Sequence, residues 1–392
     1  MAEPSPSLNS KSDPVCIANH NVLLVEDSET DAVIIKMNLS RDARFVVTHA
    51  KSLGQAFGVL GEAEITVIIL DLNLPDSVGI ETFDSIHARY PALPVVILSG
   101  EEDVELALQA VANEAQDYLP KKDVNPQLLT RSLLYAIERQ ARLLAERHNS
   151  IVESELQVAR TIQQQMLPTQ APILAGYEIA AVCEPTKQCG GDFFDFLQLG
   201  EGILDFVVGD VSNHGFGSAL IMVGARRALR TCARMHGDVG KILTVANQSI
   251  FEDTGGEHFV TLFYGRLNPV DHVLTYSAAG HPVWMISADG TIQALESHGL
   301  PLGLIEENQY NDTETIALHP GDLLLAPTDG AYEAMNEHGD HYGTDRMFEV
   351  VAKNRDKSTA EIRDALIADI RHFCQPLQPF DDVTVAILKV QD

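Results

Sequence analysis

The chain has 392 residues, 45% hydrophobic and 21% charged, which is an ordinary globular composition with room for two or three domains. A formal net charge of −29 argues against a nucleic-acid-binding output, because phosphates are repelled. No apolar run reaches the roughly eighteen residues of a membrane span, and five cysteines without a C-x-x-C pair read as reduced thiols of a cytosolic protein.

Residues 1–21 are rich in Ser, Pro, Asn and Ala and lack an apolar signal core, so they read as a disordered leader. From 22 to 125 short apolar runs alternate with segments of helical spacing. Val22-Leu23-Leu24-Val25 ends in Glu26-Asp27, Val67-Ile68-Ile69-Leu70 in Asp71, and Val95-Val96-Ile97-Leu98 in Ser99; Asp117-Tyr118-Leu119-Pro120-Lys121 follows. Such alternation implies a doubly wound parallel α/β sheet whose strand ends converge at one edge. Three carboxylates gathered there repel one another unless a cation intervenes.

Over roughly 21–137 this pattern resembles the CheY-like receiver domains. The resemblance implies that Asp71 accepts a phosphoryl group from a sensor histidine kinase. It also implies that Glu26, Asp27, Asp71 and the carbonyl of Asn73 hold Mg²⁺, and that Ser99, Tyr118 and Lys121 read the phosphoryl group.

From Pro126 to Met166 neither proline nor glycine interrupts a run of good helix formers, and Pro168 ends it. Ile137, Leu144, Ile151 and Val158 recur every seven residues, with Leu134, Ala141 and Ile162 beside them; His148 and Glu155 break the seam. A heptad seam wants a partner helix. The segment 126–168 is therefore expected to be a helical linker and the coiled-coil contact of a parallel homodimer.

Residues 169–392 carry many β-type runs and a few helical tracts, which fits a β-sandwich flanked by helices. Carboxylates stand at the edges of apolar segments: Asp192 and Asp195 in Gly190-Gly191-Asp192-Phe193-Phe194-Asp195, Asp210 after Ile203–Gly209, Asp329 in Thr328-Asp329-Gly330, and the pair Asp381-Asp382. Any one Asp-Gly alone reads equally well as a turn. Together they make a hard oxygen-donor set suited to Mg²⁺ or Mn²⁺.

The ordered set GGDFFD, GDVSNHG, FVTLFY, AGHP, GLPLG, GDLLLAPTDG and DDVT resembles the SpoIIE-like branch of the PPM metal-dependent phosphatases, over roughly 155–392. The resemblance implies an α-β-β-α sandwich and hydrolysis of phosphoserine or phosphothreonine on a protein. It implies two or more ions held by Asp192, Asp210, the Val211 carbonyl, Asp329 and Asp381, with Asp195 acting directly or through a metal-bound water and Asp382 the weaker of its pair. Asn213 stands where glycine is usual, and Asn tolerates the positive φ that turn requires. The implied substrate is a phosphorylated STAS-type anti-sigma-factor antagonist in a bacterial cytoplasm. A different class of reading is an adaptor that binds a sigma or anti-sigma partner under receiver control without catalysis; the complete acidic set argues for the enzyme.

Overall fold

The computed structural model describes residues 19–100, 109–186, 189–297, 299–311 and 313–391. The chain divides into two compact units, one up to Ile151 and one from Val152 onward.

The first unit is a five-stranded parallel sheet of β1 (His20–Val25), β2 (Phe45–Ala50), β3 (Val67–Asp71), β4 (Val95–Ser99) and β5 (Asp117–Pro120), in the order 2-1-3-4-5. Helices α1 (Glu29–Leu39), α2 (Leu53–Glu62) and α3 (Ile80–Arg89) belong to it. Strand β1 is buried on both faces, which is why it reads as a continuous apolar run. Leu23 and Val25 point into one core with Phe83 and Ile86, while Val22 and Leu24 point into another with Ile35 and Leu133. The sheet starts at His20, inside the segment expected as leader, because the His20 N–H reaches the Arg44 carbonyl at 2.6 Å. The remainder of that leader, residues 1–18, lies outside the described residues.

Helix α4 runs from Pro126 to Met166. Asn125 caps it, its Oδ1 accepting the Leu128 N–H at 2.9 Å, and Pro126 occupies the first turn, where no N–H is needed. Leu129, Leu133 and Ala136 are buried in the core of the first unit. Side chains from 141 to 155 face solvent, including Leu144 and Ile151 of the heptad seam.

The second unit is built from two five-stranded antiparallel sheets. One contains β7 (Phe193–Gln198), β8 (Leu204–Val211), β9 (Val260–Asn268), β10 (Val273–Ala279) and β13 (Glu314–Ala317). The other contains β6 (Tyr177–Glu184), β11 (Val283–Ile286), β12 (Ile292–Leu295), β14 (Leu323–Pro327) and β15 (Val383–Val390). Between them lies a core of Phe194, Phe206, Phe263, Tyr276, Leu324 and Leu388. Each such ring contributes about 2–3 kcal/mol by leaving water. Helices α5 (Phe216–Met235) and α6 (Val239–Thr254) cover the first sheet, burying Met222, Leu229 and Leu243 on Phe193 and Val207. Helices α7 (Thr344–Lys353) and α8 (Thr359–Cys374) cover the second. The result is the α-β-β-α sandwich.

Strand periodicity sorts the acidic residues. Phe194, Phe196, Phe206 and Val208 face the inter-sheet core, whereas Phe193, Leu197, Val207 and Val211 face the helices. Alternation therefore sends Asp192 and Asp210 toward the inter-sheet side and Asp195 and Asp205 toward the helices.

Candidate functional site

In the first unit the ends of β1, β3 and β5 bring four charged groups together. Carboxylate oxygens of Glu26, Asp27 and Asp71 lie within 4.8 Å of one another. Lys121 Nζ donates to Asp71 Oδ2 at 2.6 Å and to Glu26 Oε1 at 3.0 Å, and it also reaches Asp31 Oδ2 at 3.2 Å. Burial pushes Glu26 up to about 7, opposed by the hydrogen bond from Lys121 and assisted by the charge of Asp71. Burial works to lower the Lys121 pKa, but its bonds to Asp71 and Glu26 raise it overall. The oxygen-only donor set and its mutual repulsion fit a hard dication. Asn73 follows β3 and its N–H donates to Asp71 Oδ1 at 3.1 Å. Tyr118 packs against the core of the first unit. Ser99 closes β4; its side chain lies outside the described ones. Asp31 was missed from sequence because it sits in the first turn of α1 and not at a strand end.

In the second unit Asp192, Asp210, Asp329, Asp381 and Asp382 act on one another electrostatically. Burial raises Asp192 well above the carboxylate range, with the charges of Asp210 and Asp382 adding to it. Burial and then the charge of Asp329 push Asp210 up to about 7. Asp329 is raised by burial and by Asp381. Four carboxylates raised by burial and by neighbouring charge, with Asp381 adding to that charge, form an oxygen-donor set that suits divalent cations. Two glycines make the close approach possible. A side chain on Gly330 would strike the Asp382 backbone, and a Cβ on Gly191 would sit 3.0 Å from the Val211 carbonyl oxygen.

The five are not equivalent. Thr328, fully buried, donates from Oγ1 to Asp192 Oδ2 at 2.6 Å and accepts the Thr384 N–H at 3.0 Å, so it fixes the Asp192 carboxylate. Asp382 is occupied by the loop before β7: its Oδ1 accepts the Thr186 N–H at 2.8 Å and its Oδ2 the Gly191 N–H at 3.0 Å. It shapes the loop, leaving the exposed Asp381 to face outward beside Asp329.

Asp195 departs from expectation. Its buried carboxylate is taken by two arginines of α5: Arg230 Nε at 2.5 Å and Nη2 at 2.9 Å, and Arg226 Nε at 3.0 Å. Asp192 and Asp195 are three residues apart on an extended segment, so they face opposite sides of the sheet. In this structure Asp195 is held in a strand-to-helix ion pair, on the side of the sheet away from Asp192.

Asn213 has φ +66°, as a turn in place of glycine requires. His281 is buried, with Nδ1 3.2 Å from Thr261 Oγ1, and burial holds its pKa down at about 4, so it is a neutral packing residue. A residue not anticipated is Gln163 near the end of α4. It is buried, donates from Nε2 to the Gly190 carbonyl at 2.7 Å and accepts the Gly190 N–H at 3.2 Å. The linker helix is thereby latched to the loop that carries Asp192.

The family model for the response regulator receiver domain matches residues 22–133, and that for stage II sporulation protein E (SpoIIE) matches residues 200–391. The chain is a response regulator receiver joined to a SpoIIE-type PPM phosphatase domain. Protein IcfG of Synechocystis is 27% identical over 393 residues, 93% of this chain and 57% of that protein. Phosphoserine phosphatase RsbU of Bacillus subtilis is 27% identical over 243 residues, 61% of this chain and 70% of that protein. This chain thus spans little more than half of IcfG. The SiaA-PP2C domain of Pseudomonas aeruginosa shares the fold of the second unit, with a TM-score of 0.56 and 20% identity, over 62% of this chain and 98% of that one. Among the described residues no helix is long and apolar enough to cross a membrane.

The raised carboxylates of the SpoIIE-type domain set a pH dependence. A carboxyl group whose folded pKa lies above its unfolded value stabilises the fold below pH 4 and loses that contribution as pH rises through about 7. In chelator the melting temperature of this domain is expected to fall between pH 5.5 and pH 8, by roughly 5–10 °C. Mn²⁺ favours the charged form, so its stabilisation should be larger at pH 8 than at pH 5.5. Thermal scans at both pH values check this, and an equal Mn²⁺ effect at both would contradict it.

Proposed function

We propose that this chain is a two-component response regulator whose SpoIIE-type domain hydrolyses phosphoserine or phosphothreonine on a protein, under control of phosphorylation at Asp71. What carries the reading is the set of Asp192, Asp210, Asp329 and Asp381: burial and neighbouring carboxylates raise the first three, and Asp381 adds its charge to Asp210 and Asp329. These residues, with the Val211 carbonyl, would hold Mn²⁺ or Mg²⁺. Ions so held supply an activated water and counter-charge for the phosphate oxygens. The chain's own contribution is placement. Thr328 orients Asp192, Asp382 fastens the loop from Thr186 to Gly191, and Gln163 ties Gly190 to α4. In the receiver, Glu26, Asp27, Asp71 and the Asn73 carbonyl would hold Mg²⁺. A sensor histidine kinase would supply the phosphoryl group, and Lys121 would pair with it once on Asp71.

The substrate by this reading is a serine-phosphorylated STAS-type protein of a partner-switching pathway in a bacterial cytoplasm; the relative RsbU is a phosphoserine phosphatase. The full chain, assayed with Mn²⁺ on p-nitrophenyl phosphate and on such a protein, should turn over both. Beryllofluoride should change the rate in wild type and not in Asp71→Ala. No turnover with any divalent metal would remove the reading.

Gln163→Leu keeps the apolar contact but loses both bonds to Gly190, and kcat should drop about tenfold with metal affinity less affected. An unchanged kcat would show that the latch has no part in turnover. The exposed Leu144, Ile151, Val158 and Ile162 of α4 supply the seam of a parallel homodimer, whereas Ile137 and Leu134, expected in it, pack on the core of the first unit. Sedimentation of the full chain at micromolar concentration should show a dimer, and a monomer there would remove this seam.

A further inference from the structure

The segment Gly299-Leu300-Pro301-Leu302-Gly303 carries no carboxylate, yet it is fastened to the sheet that delivers Asp210. Leu302 exchanges two backbone hydrogen bonds with Val260, each 2.8 Å. Val260 pairs in turn with Val211, the neighbour of Asp210. Adjacent strands are about 4.8 Å apart, so Leu302 stands roughly 10 Å from Val211.

The segment is clamped from beneath. Asn247 on α6 is fully buried; its Oδ1 accepts the Gly303 N–H at 2.8 Å, and its Nδ2 donates to the carbonyls of Ile305 and Glu306 at 2.9 and 3.0 Å. The Tyr310 hydroxyl donates to the Leu300 carbonyl at 2.6 Å. A loop so tied has little freedom left to lose. Its aliphatic side chains nevertheless face water: Leu300, Leu304 and Ile305 are 45%, 37% and 49% exposed.

The neighbourhood extends this surface. Gly303 lies against Ile250, and Ile250 lines a groove of about 200 Å³ with Leu220 and Gly224 of α5. Leu220 is 60% exposed, and Phe216 one turn earlier is 48% exposed. Both follow directly on the turn after Asp210. Around the patch Glu252, Asp253, Glu257, Glu306 and Glu307 are exposed. An apolar centre with a charged rim, held rigid before contact, has the anatomy of a docking site, because little entropy remains to be lost on association.

We infer that Leu300, Leu304 and Ile305, continued by Phe216 and Leu220, dock the folded body of the phosphoprotein substrate; this rests on the phosphatase reading above. The occupant follows from position and charge. The segment that carries the patch is anchored, at Leu302, about two strand spacings from Val211, within reach of a protein whose phosphorylated residue enters the acidic centre. The acidic rim calls for a partner whose aliphatic patch is edged by lysine or arginine.

The test compares the full wild-type chain with the double variant Leu304→Ser/Ile305→Ser and the control Val270→Ser, an exposed residue at the opposite end of β9. Three probes are used with Mn²⁺: p-nitrophenyl phosphate, a folded serine-phosphorylated STAS-domain protein, and a short phosphopeptide copied from its phosphorylated segment. The double variant should raise KM for the folded protein about tenfold and leave p-nitrophenyl phosphate and peptide hydrolysis unchanged; Val270→Ser should change none of them. In wild type, KM for the folded protein should rise with salt. The proposal is overturned if the double variant leaves that KM unchanged, if wild type handles peptide and folded protein equally well, or if the variant alters only self-association in sedimentation. Failure of wild type on every probe would instead take down the phosphatase reading, and the docking surface with it.

Discussion

Asp210→Asn is expected to yield a folded chain that is inert as a phosphatase and, in chelator at pH 8, more heat-resistant than wild type. The two effects have one cause. Asp210 is held in a place where burial and the charges of Asp329 and Asp381 oppose its ionisation. Replacing the carboxylate by an amide removes that repulsion, so the metal-free fold gains stability as pH rises. On the proposed assignment the same replacement also removes a metal ligand, and the ions it would help hold would contribute several kcal/mol to charge stabilisation, on the order of a thousandfold in rate. Asp329→Asn should behave alike, since its pKa is raised by burial and by Asp381. In both variants Mn²⁺ should raise the melting temperature less than in wild type. Thermal scans with and without Mn²⁺, alongside turnover of p-nitrophenyl phosphate, check both parts. A variant less stable than wild type in chelator, or one with near-normal turnover, would contradict the assignment.

Asp195→Ala should show the reverse pattern. Removing a buried carboxylate that pairs with Arg226 and Arg230 leaves two guanidinium groups facing a void. Breaking a buried ion pair from one side costs about 3–5 kcal/mol. Arg230 is partly exposed, so the lower end applies, near 3 kcal/mol. The domain should melt earlier with and without metal. The Mn²⁺ concentration for half-maximal activity, measured below the melting transition, should stay within about twofold of wild type, whereas loss of a direct ligand shifts it by tenfold or more. A large shift in metal requirement with little loss of stability would return Asp195 to the metal site.

The contrast between Asp192 and Asp195 shows where sequence reasoning ran short. Both lie in GGDFFD, and motif membership assigns them together. The residues around them already separate them, because Phe193 to Phe196 form a strand buried on both faces, and positions an odd number apart point oppositely. The two sheets, the long helix and the strand-end placement of Glu26, Asp71, Asp210 and Asp329 were legible because each depends on local periodicity and on one chemical preference. Gln163 was not legible. Its partner is the backbone of Gly190, and a peptide group leaves no side-chain signature. Thr328 was hidden in the same way: nothing about a threonine beside Asp329 announces a bond to a carboxylate 136 residues earlier. Asp382 was visible as an acid, but that its oxygens are taken by the Thr186 and Gly191 N–H groups follows only from the loop geometry.

The position of β15 has a consequence for biosynthesis. This strand lies inside its sheet, between β14 and β6, and pairs Val383 with Glu184 across about two hundred residues. Asp381 lies two residues before it. During translation, β6 has no neighbour on that side and Asp329 lacks its companion carboxylate until residues through Val390 have left the ribosome. A nascent chain therefore carries an open sheet edge and an incomplete acidic centre until β15 is made and pairs with β6.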